Sequence, residues 1–467
     1  MSLQVSVPVS TRADEWIAAE VLRDSFDHLQ KTQDSADATL DLENEDEATV
    51  DLAARFLGFV AKSIHQEAQS TPARTALLLN VLTHFTSSYL TTKDIHSLTE
   101  SYDIDVRKSV LSSYFLAVAA LEEQQVPDLP RCPSSALLNA AAKGDASIYA
   151  LFGGQGTNEV YFDELQNLYD IYTPYVSPFL RKITSDVLTP LTSQSSQTSY
   201  YAHGMDVMSW LSGASRPSTA YLASIPLSLP LIGLTQLTQY LIACRVANLT
   251  PGELRSRIAG ATGHSQGVVS AVCIAASDSY ESFEINAHKA LRWLFFCGMR
   301  GQEAFPVLAL EPSIVQNSIE GGEGAPSPML AVTGLSLKDL EKHIKNTNAH
   351  LAENAQLGVS LHNGPRAFVV TGPARALYGL VTSLRKIRAP SGLDQSKTPF
   401  SQRKQVFSVR FLVVGVPYHS PYLVSAVDKM VEEDLEGEEL WKNEELAIAV
   451  YHTEDGQSLL CCGLSLV

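Results

Sequence analysis

The chain has 467 residues, of which 45% are hydrophobic, and its formal net charge is −17. This composition suffices for one or two packed domains and excludes general disorder, while the acidic balance argues against nucleic acid as a partner. No apolar run reaches the ~18 residues of a membrane span and no secretory signal is visible. The six cysteines lack metal-ligand spacing, so we expect reduced thiols, no metal site and a cytoplasmic protein.

Residues 1–130 are expected to form a helical N-terminal region. Apolar residues recur at three- and four-residue intervals in "DLAARFLGFVAKSI" (51–64) and "TALLLNVLTHFTSSYL" (75–90), the period of a one-sided helix. The acidic stretch 34–51 predicts a solvated loop. Three prolines in "QQVPDLPRCPSS" (124–135) interrupt any helix and place a boundary near residue 130.

Residues 146–326 are expected to form an α/β core. "SIYALFGGQG" (147–156) predicts a strand that ends in a glycine-rich turn, and "LTSQSSQTS" (191–199) predicts a polar connection. Residues 224–247 predict a buried strand or loop leading into an apolar helix. "RIAGATG" (257–263) predicts a strand of small residues, followed by a helix from about Gln266. This alternation favours a parallel sheet.

Residues 327–415 show a different order of elements. "PMLAVTGL", "LGVSLHNG", "RAFVVTG" and "QVFSVRFLVVGV" predict strands, and "SLKDLEKHIKNTN" and "PARALYGLVTSLRKI" predict helices. The resulting βαββαβ order is typical of a ferredoxin-like subdomain. We expect this subdomain to be inserted into the larger core, to which residues 416–467 return.

The sequence Gly263-His264-Ser265-Gln266-Gly267 fits G-x-S-x-G, the turn from a strand into a helix that exposes a nucleophilic serine. The flanking glycines relieve crowding in a strained turn, so Ser265 Oγ is expected to project above the sheet edge. The amide of Gln266 is then at a helix N-terminus, where N–H groups stabilise an oxyanion. His264 is expected to point elsewhere and to have a structural role beside the pocket.

An activated serine needs a base, and His419 in "GVPYHSPYL" has enough chain before it to fold back over the turn. The alternative for His419 is a structural role at a strand end. Asn363, in "LHNGP", ends a strand of the small subdomain and is placed to line a cleft.

Six phrases carry a family resemblance: "FGGQG", "TPGELRS", "GATGHSQG", "EGAPSPML", "APSGLDQS" and "GVPYHSPYL". Together they resemble the acetyltransferase domain at the N-terminus of the fungal type I fatty acid synthase β subunit. The similarity runs from about residue 50 to 455. It implies the fold of the malonyl/acetyl transferase superfamily, an α/β-hydrolase-like core with a ferredoxin-like insert.

The resemblance implies a role for each matching residue. Ser265 matches the nucleophile that becomes acylated, and His419 matches the general base. Gln155 matches the residue whose backbone amide joins that of Gln266 in the oxyanion hole, and Asn363 matches an asparagine near the acyl pocket. The implied reaction needs no bound cofactor: acyl-CoA is the donor, and the phosphopantetheine of an acyl carrier protein is the acceptor. The implied partners are this carrier and the synthase α subunit, in a large hetero-oligomer.

The acyl preference depends on one position in "LRWLFFCGMRGQEAF" (291–305). Malonyl transferases of this superfamily hold the substrate carboxylate with a buried arginine that precedes a glycine. One register places Cys297 at that position and the other places Arg300 there. We favour Cys297, because "LFFCG" matches the fungal phrase without a gap, and an uncharged pocket favours acetyl or another short acyl group.

A basic stretch stands out in this acidic chain. Between residues 385 and 410, seven Lys and Arg residues face one acid, Asp394. Coenzyme A phosphates or an acidic carrier would bind such a stretch, and Lys397, Arg403 and Lys404 are its candidate contacts. A solvated loop is the equal alternative.

The chain ends soon after "LAIAVYHTEDG", whereas the family resemblance implies a further helix and strand end that complete the core. We therefore expect an apparently truncated domain. Three other interpretations remain open: a malonyl transferase, a serine hydrolase, and a non-catalytic assembly fragment of the synthase.

Overall fold

The computed structural model describes residues 45–65, 72–131, 134–156, 158–390, 395–396, 398–399 and 402–459. The main helices are α1 (Glu45–His65), α2 (Pro72–Tyr89), α3 (Ile95–Leu98), α4 (Ile104–Glu123), α5 (Ala136–Lys143), α6 (Tyr161–Ile183), α7 (Thr189–Gln194), α8 (Val207–Leu211), α9 (Thr219–Leu222), α10 (Ile225–Ala247), α11 (Pro251–Arg255), α12 (Gly267–Ala275), α13 (Tyr280–Ala304), α14 (Pro312–Glu320), α15 (Leu337–Asn348), α16 (Ala374–Ile387) and α17 (Val424–Lys429). The strands are β1 (Ile148–Phe152), β2 (Ile258–Gly263), β3 (Met329–Thr333), β4 (Gly358–Gly364), β5 (Ala367–Thr371), β6 (Ser408–Phe411) and β7 (Ala449–Tyr451). Single π-helical turns are Thr184–Leu188 and Met430–Asp434, and 3₁₀ turns are Thr198–Tyr201, Glu353–Ala355, Pro421–Leu423 and Asn443–Glu445.

Chain contacts divide the described residues into two compact units. The first takes its residues from 1–148, 163–182 and 238–257, and the second takes its residues from 149–162, 183–237 and 258–467. Two segments of the predicted 146–326 core thus belong to the first, helical unit. Apolar periodicity indicates that a helix has a buried face, but it does not identify the helices that this face contacts.

In the helical unit, α1 and α4 pack closely. A Cβ atom on Gly58 of α1 would lie 2.7 Å from Ser113 Oγ of α4, so glycine permits this approach. The acidic stretch predicted as a loop is helical from residue 45 onward, and its residues 34–44 lie outside the described residues. Glu47 of α1 is buried. Its carboxylate accepts the Asp103 amide at 3.0 Å, and this hydrogen bond offsets part of the cost of burying the charge.

Residues 225–247 form one helix, α10, so the prediction that a strand or loop comes first is wrong. In the sequence, Pro230 argues against a helix because proline has no backbone N–H to donate. In the structure Pro230 lies near the start of α10, where its presence removes only one backbone hydrogen bond and the helix continues. By length and composition α10 qualifies as a membrane span, but 89% of its most apolar window is buried in the protein. The predicted polar connection 191–199 begins inside α7, which ends at Gln194.

The second unit contains two sheets. The first has the order β1-β2-β7, with β2 and β7 parallel, as predicted for the core. The second has the order β4-β5-β3-β6 and is antiparallel at every neighbouring pair. Its strands and the helices α15 and α16 follow the βαββαβ order, so the predicted ferredoxin-like subdomain is confirmed. Its core contains Leu330, Val332, Leu340, Phe368, Val370, Leu377, Leu380 and Val381.

Candidate active site

Ser265 lies in a tight turn between β2 and α12. Its φ is +54°, in the left-handed region that non-glycine residues rarely adopt. A Cβ atom on Gly263 would lie 1.9 Å from the carbonyl carbon of Gly267, and one on Gly267 would lie 2.4 Å from Phe152 O. The backbone therefore requires both glycines, and the strand–turn–helix context predicted for the G-x-S-x-G motif is confirmed.

The structure brings Ser265 and His419 together. Ser265 Oγ and His419 Nε2 are 2.8 Å apart, although 154 residues separate them in the chain. Partial burial, and secondarily repulsion from His264, lower the pKa of His419 below its ordinary value of 6.5. The imidazole is therefore neutral at neutral pH, and its Nε2 is able to accept the Ser265 proton. This geometry suits a serine nucleophile and its general base.

His419 is held by its backbone more than by partners of its ring. Its φ is +59°, and it follows β6 in a short return segment. The neighbouring Ser420 hydroxyl donates to Pro417 O and closes the turn around it. Within the described residues, the bond to Ser265 is the only side-chain hydrogen bond of His419. Although its imidazole is partly buried, His419 as a residue retains solvent-exposed surface.

The loop after β1 lies against the serine turn. His264 N–H donates to Phe152 O at 2.9 Å, and a Cβ atom on Gly154 would lie 2.8 Å from His264 Nδ1 and 3.2 Å from Ser265 Cβ. Gln155 follows Gly154 directly, and the Gln266 amide is in the turn that starts α12. Amides at a helix start lack an intrahelical acceptor, so this turn offers N–H groups to a developing oxyanion.

Two residues that the sequence analysis did not single out hold this loop. Gln236 of α10 donates to Gly153 O at 2.7 Å and accepts from Ser270 Oγ of α12 at 2.7 Å. Gln155 Nε2 donates to Ser228 Oγ, also in α10, at 3.3 Å. The sequence did contain a signal for these contacts: Ser228 and Gln236 are polar residues in an otherwise apolar helix, and such side chains need hydrogen-bond partners inside the protein.

Two predicted pocket residues contact each other. His264 Nε2 and Asn363 Oδ1 are 3.2 Å apart, and both side chains are exposed. Because His264 also lowers the pKa of His419, it influences the base electrostatically and does more than support the turn. Asn363, at the β4 end, thus belongs to the same neighbourhood as Ser265.

The third predicted pocket residue, Cys297, is half-buried on α13, and burial raises the pKa of its thiol to about 12. The residue before the candidate base, Tyr418, lies near this thiol. Burial, with smaller electrostatic contributions from Cys297 and Tyr201, raises the pKa of Tyr418 well above 10. Tyr418 Oη is buried and has no hydrogen-bond partner among the residues that the structure describes. The Cys297 thiol and the neighbouring Tyr418 phenol are therefore both neutral at neutral pH.

Arg300 is already occupied by carboxylates of the protein. Its guanidinium donates to Asp434 at 2.7 Å, to Glu303 at 2.8 Å and to Glu433 at 2.9 Å. The hydrogen bond to Asp434 is the main reason that its pKa lies above the ordinary value. Arg300 is thus not free to hold a substrate carboxylate, which favours the Cys297 register.

The basic stretch 385–410 is partly used inside the protein. Arg385 and Arg388 both pair at 2.6 Å with Glu323, whose side chain is fully buried. Arg403 donates to Ser396 O at 3.0 Å and to Thr398 O at 2.9 Å. Lys404 donates its backbone N–H to Gln395. Lys397 and Asp394 lie outside the described residues. Arg385 and Arg388 are therefore structural members of the stretch.

Comparisons with known proteins agree on a family. A family model described as "Starter unit:ACP transacylase in aflatoxin biosynthesis" matches residues 150–404, and one described as "N-terminal domain in fatty acid synthase subunit beta" matches residues 1–121. Fatty acid synthase subunit beta of Schizosaccharomyces pombe is 39% identical over 456 residues, covering 96% of this chain and 21% of that protein. Its namesake of Saccharomyces cerevisiae is 39% identical over 425 residues, covering 89% of this chain and 20% of that protein.

Among solved structures, a complex of a type II polyketide synthase acyl-carrier protein with its malonyl-transacylase is similar at 16% identity and a TM-score of 0.43, covering 67% of this chain and 76% of that chain. The chain spans about one fifth of the length of the curated relatives it matches. The transacylase model covers more than half of the chain and includes both Gln155 and Ser265. The chain therefore belongs to the starter unit:ACP transacylase family and is an acyltransferase related to fungal fatty acid synthase β subunits.

Proposed function

We propose that the chain transfers a short acyl group from coenzyme A to the phosphopantetheine thiol of an acyl carrier protein through an ester on Ser265. The observation that carries this proposal is the 2.8 Å contact between Ser265 Oγ and His419 Nε2 in a G-x-S-x-G turn. The family membership and the fatty acid synthase relatives support it. The product would prime the synthesis of a fatty acid or of a fatty starter unit.

In the first half-reaction, His419 Nε2 takes the Ser265 proton as Oγ attacks the thioester carbonyl carbon. The amides of Gln155 and Gln266 stabilise the oxyanion, and losing one such donor costs ~10²–10³ in rate. The C–S bond then breaks, and His419 returns the proton to the departing CoA thiolate. In the second half-reaction, the carrier thiol gives its proton to His419 and attacks the ester carbonyl carbon. The bond between that carbon and Ser265 Oγ then breaks, and His419 returns the proton to Oγ, which leaves the acyl group on the carrier thiol.

The proposed acyl group is acetyl or another short, uncharged chain. A malonyl carboxylate needs a cation in the pocket, because burying an unpaired carboxylate is expensive. Arg300 is held by three acids, and the Cys297 thiol is neutral. Both observations support an uncharged acyl pocket.

The proposed partners are an acyl carrier protein and the α subunit of a fatty acid synthase, in a hetero-oligomer in the cytoplasm. We also propose that Lys397, Arg403 and Lys404 contact the phosphates of coenzyme A or the carrier. Replacing all three with Glu is then expected to raise KM for one or both substrates. An unchanged KM for both would remove these residues from the proposal.

Intact-protein mass spectrometry tests the reaction. After exposure to acetyl-CoA, we expect the protein to gain one acetyl group, and Ser265→Ala to gain none. Exposure to malonyl-CoA is expected to give less adduct, and more malonyl than acetyl adduct would contradict the uncharged pocket. If the adduct decays equally fast with and without carrier protein, the chain is a hydrolase. If no adduct forms with acetyl-, malonyl- or hexanoyl-CoA, the chain is not an acyltransferase on its own.

A further inference from the structure

The helical unit contains a cavity of about 520 Å³ that the proposed acyl transfer does not use. We name it the arginine cavity because Arg131, Arg245 and Arg257 line it. Every residue that lines it belongs to the helical unit. Its size is within the range of about 300–1,000 Å³ that holds small molecules.

The cavity lining has more positive than available negative charge. Asp94 is its one acidic residue, and that carboxylate already accepts the amides of His96 and Ser97 as the N-cap of α3. Arg131 is paired at 2.5 Å with Glu122 and Arg245 also interacts with other residues of the protein, which leaves the Arg257 guanidinium to consider.

Arg257 is half-buried, and it forms no ion pair with any residue that the structure describes. Glu253, whose carboxylate is nearest to it in sequence, accepts the Thr250 amide at 2.7 Å, and Arg257 contributes only the smallest of the effects on its pKa, which is lowered chiefly by hydrogen bonds with Thr250. Glu253 is exposed, so solvent screens its attraction to Arg257. The half-buried guanidinium therefore has capacity for an anion bound in the cavity.

The same cavity offers neutral donors suited to a phosphate. Ser134 and Ser135 line it directly before α5. As the N-cap, Ser135 Oγ already accepts the Leu138 amide, so the amides of Ala136 and Leu137 are the ones left without an intrahelical acceptor. Phosphates bind at helix N-termini, and the planar fork of arginine matches two phosphate oxygens at once. The guanidinium and the helix start therefore supply independent reasons for the same ligand group.

Another part of the lining is aromatic and suits a flat apolar body. The Phe115 ring lies 5.2 Å from that of Tyr114, 6.1 Å from that of Tyr175 and 5.5 Å from that of His96, measured between centroids. All four residues line the cavity. His96 Nε2 is fixed at 2.7 Å from Tyr172 Oη, so this wall is held in place.

We infer that the arginine cavity binds a nucleoside phosphate, with the phosphate on Arg257 and the start of α5 and the base against the aromatic wall. The ligand is a small metabolite of this chemical class, and its site is separate from the serine pair. The inference does not depend on the proposed acyl transfer.

Isothermal titration calorimetry of the full chain tests the inference with three probes: AMP, adenosine and ribose 5-phosphate. AMP is expected to bind saturably, and the two fragments are expected to bind at least about tenfold more weakly, because each lacks one half of the contacts. Arg257→Gln is expected to weaken AMP binding by about 10- to 100-fold, since a hydrogen bond to a charged group is lost. The matched control is Arg366→Gln, which removes an exposed arginine outside the cavity.

Three results would overturn the inference: no saturable AMP binding, equal affinity for adenosine, or the same AMP affinity in Arg257→Gln and Arg366→Gln. The last result would place AMP at another site of the protein. Circular dichroism checks that each variant folds. If Arg257→Gln does not fold, Arg257→Lys keeps the charge but loses the fork, and an unchanged AMP affinity in that variant would equally contradict the inference.

Discussion

A serine hydroxyl is a weak nucleophile at neutral pH, so the role proposed for Ser265 depends on its neighbours. His419 supplies a neutral ring nitrogen at 2.8 Å. Gly263 and Gly267 leave room for a turn that a side chain would block, and the amide of Gln266 begins a helix. The two glycines and the Gln266 amide come from the same five-residue motif as Ser265, whereas His419 lies 154 residues further along the chain, so the motif alone does not contain the whole site.

The pH dependence of acylation tests the electrostatic link between two histidines. His264 contributes to the lowered pKa of His419, so the rate of acyl-enzyme formation is expected to rise with pH through a midpoint below 6.5. In His264→Gln this repulsion is absent, and the midpoint is expected to move upward. The measurement is the pH–rate profile of Ser265 acylation by acetyl-CoA.

Asn363→Ala is the control for that experiment, because it removes the hydrogen bond to His264 and no ionisable group. Its midpoint is expected to stay with that of the unaltered protein. A His264→Gln midpoint equal to or below that of the unaltered protein would contradict the proposed repulsion.

The residue-scale features were only partly predictable. Ser265, Gln266 and His419 follow from a spacing motif and a family phrase. Gln236 does not, because its role depends on α10 lying beside both Gly153 and Ser270, which is a tertiary contact. The engagement of Arg300 by Asp434 likewise joins segments 134 residues apart.

At the scale of elements, the contact between the β1 loop and the start of α12 decides whether the serine turn forms. Gly267→Ala is expected to lower the free energy of unfolding by about 1–3 kcal/mol and to reduce acylation, because its Cβ meets the backbone of Phe152 at 2.4 Å. Chemical denaturation and acyl-enzyme formation measure the two effects.

Gly379→Ala is the matched control for that substitution. Gly379 is in α16, and a Cβ atom there would meet nothing within 4 Å. Alanine in an open helical position is expected to stabilise the protein by about 0.5–1 kcal/mol. A Gly267→Ala protein as stable and as active as the control would show that the turn tolerates a side chain.

The end of α14 and the helix α16 are joined by Glu323, Arg385 and Arg388. Glu323 is fully buried, so Glu323→Gln leaves two partly exposed guanidiniums without their counter-ion. We expect a loss of about 2–4 kcal/mol in the free energy of unfolding, less than for wholly buried partners. Chemical denaturation is again the measurement.

Glu311→Gln provides the comparison, because its pair with Arg375 spans 3.3 Å between two largely exposed side chains. Its expected cost is about 0–1 kcal/mol. Equal costs for the two substitutions would mean that the buried carboxylate has no special role.

At the scale of the whole molecule, the predictions succeeded where elements are contiguous. The βαββαβ segment has short connections and alternating patterns, and its sheet order β4-β5-β3-β6 follows from that order of elements. The helical unit draws on three separate stretches of chain, and nothing local in 163–182 or 238–257 identifies their neighbours. Net charge likewise predicts little about local charge, because a chain with a net charge of −17 still contains a cavity lined by three arginines.

The lone hydrogen bond of the His419 ring has a consequence for the order of events. Once Ser265 carries an ester, its oxygen has no hydrogen to donate, and among the described residues nothing else anchors the imidazole. In the proposed reaction, acylation of Ser265 would therefore remove the hydrogen bond that holds the imidazole before the carrier thiol arrives. The acyl-enzyme itself would then leave the His419 imidazole free to turn toward the carrier thiol and accept its proton.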